Sequence, residues 1–285
     1  MTLIRSLLLL IFPALSLAHP GGGLIALNEK TVIFGDPTNN ALWRMEKGER
    51  PTALFKNFHV HWTTLGLDGN IYSESFQEIG GALFRIDLSG KGHSKVAEET
   101  ELNAAAFAVG RRGELIFQKG GAIVERSSDG TITNFRGNGT VSKGDPKLEQ
   151  VIAYHWSGNT LYFSDGAALR RVGEDGVVRI VARLAGKMLD QQIWNSTGSP
   201  RVWSVATDAI GRIYAALPDI GQVIRIDPDG KQNIIDSYSA PWRVTAVAVF
   251  GDSVFFLESN DRIDTGQRVR VMRGSNPAEI FGVVE

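Results

Sequence analysis

The chain has 285 residues, a net charge of −1 and no cysteine. The charge balance excludes the broad basic field that nucleic acid or an acidic membrane demands. The missing thiols exclude disulfides, thiolate catalysis, thiolate zinc sites and iron–sulfur clusters, while an apolar fraction of 43% is enough for a substantial core.

The first segment reads as an export signal. Arg5 gives a basic start, Leu7 to Leu17 is almost wholly apolar, and Ser16-Leu17-Ala18 is a small-x-small cleavage site. The apolar run is too short for an ordinary membrane span, and no other stretch comes close. Residues 1–18 are therefore read as a signal peptide and 19–285 as one mature domain. The expected product is secreted or periplasmic, monomeric, and without a membrane span after cleavage, which would leave His19 as the new N-terminus.

Beyond that point the chain repeats itself. Gly23 to Phe34 is followed by Ala41-Leu-Trp-Arg-Met45, and His61 to Tyr72 by Ala82-Leu-Phe-Arg-Ile-Asp87. Phe107 to Phe117 leads to Ala122–Arg126, and Tyr154 to Phe163 to Ala168–Val172. Trp203 to Tyr214 leads to Gln222–Asp227, and Val244 to Phe256 to Arg268–Val271. Six units at a spacing of roughly 40–50 residues match four-stranded propeller blades. Asp68-Gly69, Asp129-Gly130, Asp175-Gly176 and Asp229-Gly230 supply tight turns that require positive φ. No stretch after the signal keeps a helical period. The expected fold is all-β, a six-bladed β-propeller of four-stranded blades, whose faces are buried only when the blades close into a ring. The first unit holds all four of its strands, so no strand is exchanged between the termini.

The Asp-Gly-x-Ile-Tyr and Val-x-Arg-Ile-Asp phrases resemble the NHL-repeat and SMP-30/gluconolactonase-type propellers over nearly all of the mature chain. A second resemblance covers about 15 residues. His61 to Asp68-Gly69 and on to Ser73-Glu74 is similar to one blade of the larger, seven-bladed streptogramin lyases. That resemblance implies His61 as general base and Glu74 as a ligand to magnesium. The early metal-binding glutamate of the gluconolactonases has no counterpart near Gly23.

In a propeller the starts of the innermost strands and the ends of the second strands share one face. Alignment on Ile71-Tyr72 collects that face. His59 corresponds to Gly21, Asn103, Glu149, Arg201 and Trp242, and His61 to Gly23, Ala105, Val151, Trp203 and Val244. The second strands end at Asp36, Glu74, Asp165 and Glu258. In His59-Val60-His61 the period of two turns both imidazoles to one side. Imidazole with a carboxylate makes a transition-metal site, so His19, His59, His61 and Glu74 are candidate ligands of a divalent ion, whether Zn, Cu, Mg or Ca. With His19 as N-terminus, a copper-binding histidine brace is one form of that site. His61 and Glu74 are the candidate catalytic pair. Arg201, Trp203, Trp242 and Arg243 form a candidate cradle for an anion or a ring, with Asp36, Asp165 and Glu258 as further ligand contacts. The competing readings are packing for the tryptophans and solvated charge for Glu149. His155 and His93 read as packing or surface residues. The expected function is a metal-dependent lyase or hydrolase of a small molecule bound at the channel mouth. The alternatives are a non-catalytic ligand- or protein-binding propeller and a periplasmic copper or zinc protein.

Overall fold

The computed structural model describes residues 23–76, 81–98, 106–186, 200–238, 240–260 and 266–284. Six four-stranded antiparallel sheets form a ring, each built from four consecutive strands. Blade 1 comprises β1 (Leu24–Asn28), β2 (Thr31–Asp36), β3 (Ala41–Glu46) and β4 (Thr52–Lys56). Blade 2 follows with β5 (Val60–Leu65), β6 (Ile71–Phe76), β7 (Gly81–Ile86) and β8 (His93–Glu98). Blade 3 has the short strands β9 (Ala108–Val109), β10 (Leu115–Lys119), β11 (Ala122–Arg126) and β12 (Ile132–Asn134). Blade 4 is β13 (Tyr154–Ser157), β14 (Thr160–Asp165), β15 (Ala168–Val172) and β16 (Val178–Arg183). Blade 5 is β17 (Ser204–Thr207), β18 (Ile213–Leu217), β19 (Gln222–Ile226) and β20 (Gln232–Ser237). Blade 6 is β21 (Trp242–Phe250), β22 (Ser253–Asn260), β23 (Gln267–Arg273) and β24 (Glu279–Val284). Among the described residues the only helical pieces are single 3₁₀ turns, and no helix is long and apolar enough to cross a membrane.

The repeated phrases have a direct structural meaning. Gly69 and Gly230 take φ of 81° and 86°, so their turns close at no steric cost. In the Asp-x-x-Gly-x-Ile-Tyr phrase of blade 5, Asp208 Oδ2 accepts the Tyr214 hydroxyl at 3.0 Å, and in blade 2 Asp68 Oδ2 accepts that of Tyr72 at 2.9 Å. The aspartate thereby ties the first hairpin's turn to its second strand.

The core lies between blades. Ile33 and Leu42 of blade 1 meet Val60 and Ile71 of blade 2, and Tyr214 and Val223 of blade 5 meet Val247 and Phe256 of blade 6. The ring closes where Phe34 and Met45 of blade 1 pack with Phe255, Leu257 and Phe281 of blade 6. Phe255 and Phe281 make a T-shaped contact with centroids 5.4 Å apart. Gln267 Nε2 donates to Gly35 O across the same seam. Closure therefore rests on side-chain packing, and no sheet contains strands from both ends of the chain.

Candidate functional site

The strand-entry mouth is built most distinctively in blade 2. His59 immediately precedes β5 and His61 lies within it, and their rings sit with centroids 4.6 Å apart. The period-two expectation of a shared side is met. A β-bulge follows: Val60 pairs with Ser75 and Thr63 with Ser73, so His61 and Trp62 together oppose Glu74. The extra residue carries His61 past its regular register and brings Trp62 onto the face packed against Phe107 of blade 3. Glu74 is buried, 4% exposed, in the adjacent strand.

His59 is also held from blade 1. Its Nδ1 lies 2.7 Å from Asn40 Oδ1, and the Asn40 carbonyl accepts the Phe58 N–H at 2.9 Å. Asn40 sits at the β2–β3 turn with φ of 49°, a conformation asparagine tolerates. Because an amide oxygen only accepts, this contact calls for a proton on Nδ1. The sequence reading passed over Asn40; its only mark is the Asn39-Asn40 pair between two strands.

The carboxylates at the ends of the second strands are buried and engaged with their own chain. Asp36 accepts the backbone and side-chain N–H groups of Asn39 and the Trp43 indole. Asp165 accepts the N–H groups of Glu149 and Gln150 at 2.8 and 2.9 Å and pairs with the equally buried Arg170 at 2.8 Å. Glu258, fully buried, is clamped by Arg268 and Arg270. In blade 5 a comparable part is taken by Asp219, in the 3₁₀ turn that follows β18, which accepts the Arg201 N–H at 3.0 Å. Asp165 and Asp219 fasten strand entries, whereas Asp36 and Glu258 hold groups of their third strands: a buried carboxylate is tolerated where N–H donors and a guanidinium satisfy it.

Two arginine–tryptophan pairs stand at the entries of blades 5 and 6. The Arg201 guanidinium lies 5.6 Å from the Trp203 ring, and that of Arg268 only 4.0 Å from the Trp242 ring. Arg243, adjacent to Trp242, is buried at 7% exposure. The stacked partner of Trp242 is thus Arg268 from β23, a residue that linear spacing does not point to.

Inside the ring, a cavity of about 260 Å³ is lined by the innermost strands of all six blades. None of His59, His61, Glu74, Arg201, Trp203, Trp242, Arg243, Asp36, Asp165 or Glu258 lines it. Register defines one tier of its wall: Ile25, Thr64, Ala108, His155, Ala206 and Ala248 each pair with the equivalent residue of their second strand. His155 is therefore a channel residue. Its Nε2 shares a 3.0 Å hydrogen bond with Thr207 Oγ1 of blade 5, and burial pushes its pKa down to about 4. Alignment on Leu161-Tyr162 contains this placement, since His155 stands directly opposite Tyr162.

Among the described residues no group of three His, Asp or Glu side chains is arranged to hold a metal ion. Two imidazoles come together with Glu74 opposite the bulge, but Asp36, Asp165 and Glu258 are committed to other partners. The described donors do not fit the expected divalent ion, and no chemical step is routed through one. His19 lies outside the described residues, as do Gly21, Asn103 and Ala105.

No family profile and no curated protein matches the sequence. Solved structures match the fold. Streptogramin B lyase is similar over 94% of this chain and 84% of its own, with a TM-score of 0.55 and 15% identity. A gluconolactonase of Xanthomonas campestris is similar over 84% of each chain, with a TM-score of 0.55 and 12% identity. A chain of the nidogen–laminin complex is similar over 89% of this chain and 97% of its own, with a TM-score of 0.59 and 14% identity. At these identities the likeness establishes the propeller and not its chemistry.

Proposed function

We propose that this chain is an exported propeller that processes a small molecule at the strand-entry mouth, as a lyase or hydrolase. The observation that supports this most is the His59–His61 pair, with rings 4.6 Å apart and His59 anchored by Asn40. His61 takes the substrate proton, and Glu74 across the bulge favours the imidazolium that results. His59, with Nδ1–H directed at Asn40, stands beside it. The Arg201–Trp203 and Arg268–Trp242 pairs, with Arg243, bind a planar or anionic part of the substrate. The structural likeness to a streptogramin B lyase and a gluconolactonase is consistent with small-molecule chemistry on this fold.

The test is turnover of a panel of lactones, aryl esters and cyclic depsipeptides. His61→Ala is expected to lower turnover about 10²- to 10⁴-fold, with Asn40→Ala causing a smaller loss and both variants melting close to the parent. Undiminished turnover in His61→Ala would refute the assignment. A second reading is a non-catalytic binding propeller. It is favoured by the internal engagement of Asp36, Asp165 and Glu258, which takes them out of chemistry, and one structural neighbour is a chain of the nidogen–laminin complex. Retained ligand binding without turnover anywhere on the panel would select it. A metal-carrying role, zinc or copper, depends on His19. Elemental analysis of tag-free protein decides that point, since stoichiometric metal lost in His19→Ala is its required result.

A further inference from the structure

The channel cavity is separate from the mouth residues and carries a different chemistry. Among the described residues, no Asp, Glu, Lys or Arg lines its wall. An ionic ligand there would give up its hydration with no counter-charge, a cost of several kcal/mol or more. Small and aliphatic side chains such as Ile25, Ala206 and Ala248 share the wall with the rings of Trp62, Tyr154 and Trp156. At about 260 Å³, it exceeds the roughly 150 Å³ of an apolar cavity that takes up benzene. Among the wall's other polar groups, Ser204 Oγ bonds the Val247 backbone, Thr63 Oγ1 donates to Tyr72 O and Trp156 Nε1 donates to Val109 O. His155 uses only Nε2, on Thr207.

We propose that this cavity binds a small uncharged molecule with an apolar, ring-sized body and one hydrogen-bonding group, which meets Nδ1 of His155. Either tautomer serves. If Nε2 donates to Thr207, Nδ1 accepts from the ligand; if Nε2 accepts, Nδ1–H donates. A hydroxyl on a ring satisfies both cases. The site does not depend on the His59–His61 reading, because the two share no residue.

The experiment uses phenol, benzene and benzoate as probes of the full mature chain, with affinity read by calorimetry and ligand-observed NMR. Phenol is expected to bind at millimolar concentration or below, and benzoate, its charged match, not at all. His155→Leu should weaken phenol roughly three- to ten-fold, as one neutral hydrogen bond would, and leave benzene unchanged. Filling the tier with Ala206→Leu should remove both phenol and benzene. Near-UV circular dichroism verifies its packing, and Ala248→Val is the milder filling variant should Ala206→Leu not fold. No binding of phenol, benzoate binding as tightly as phenol, or full phenol affinity in a natively folded filling variant would each overturn the proposal.

Discussion

His155 shows how burial turns an ordinary side chain into a pH-dependent element of stability. Its pKa is lowered from 6.5 to about 4 by loss of hydration. The unfolded chain therefore binds a proton near pH 6.5 that the folded chain refuses until near pH 4. Above that window His155 has no effect on the pH profile. Inside it, stability falls as pH drops, by at most about 1.4 kcal/mol per pH unit. Urea unfolding at pH 7 and pH 4.5 is expected to show a smaller acid loss in His155→Leu than in the parent; equal losses would contradict this account. Asp165 and Arg170 illustrate the opposite solution, in which both charges stay buried because each is satisfied by the other and by backbone groups.

At the scale of elements, close approach between blades sets the position of the candidate catalytic strand. A Cβ on Gly35 of β2 would lie 2.3 Å from Cγ1 of Val60, the first residue of β5 and fully buried. Gly35→Ala is expected to destabilise by about 1–3 kcal/mol and to shift the flanking His59 and His61. Val60→Ala in the same chain should recover part of that loss, which denaturant unfolding of the four-member cycle measures. Strand order and hairpins are legible in the sequence because the six units repeat and Asp68-Gly69, Asp129-Gly130, Asp175-Gly176 and Asp229-Gly230 mark four of the turns. The bulge at His61-Trp62 is not, because an inserted residue leaves no composition mark and shifts every later register by one. That shift also hides the neighbours of Glu74 and the arrival of Arg268 over Trp242, which depends on a third strand. That His155, read as packing or surface, also lines the channel is not legible in the sequence, because a lone histidine beside Trp156 carries no sign that six inner strands enclose a void.

At the scale of the molecule, the seam between blades 6 and 1 decides whether the ring holds. Its strength is apolar. Phe281 is 2% exposed among Met45, Phe255 and Phe34, so Phe281→Ala is expected to cost about 3–5 kcal/mol. The Lys47–Glu279 and Arg273–Glu279 pairs at the same seam are solvent-exposed, so Glu279→Gln should cost under about 1 kcal/mol. Thermal unfolding of the two variants checks the contrast, and a larger effect from Glu279 would reverse the assignment.

Every sheet is woven from one uninterrupted stretch of chain, and this separates the order of blades around the axis from the place where the polypeptide happens to start. A break moved to an inter-blade connection would leave the four-stranded ladders whole, although the link between blades 3 and 4 has a bridge of its own, Val141 to Val178. New termini or grafted sensors would therefore find their points of entry between blades and not within them.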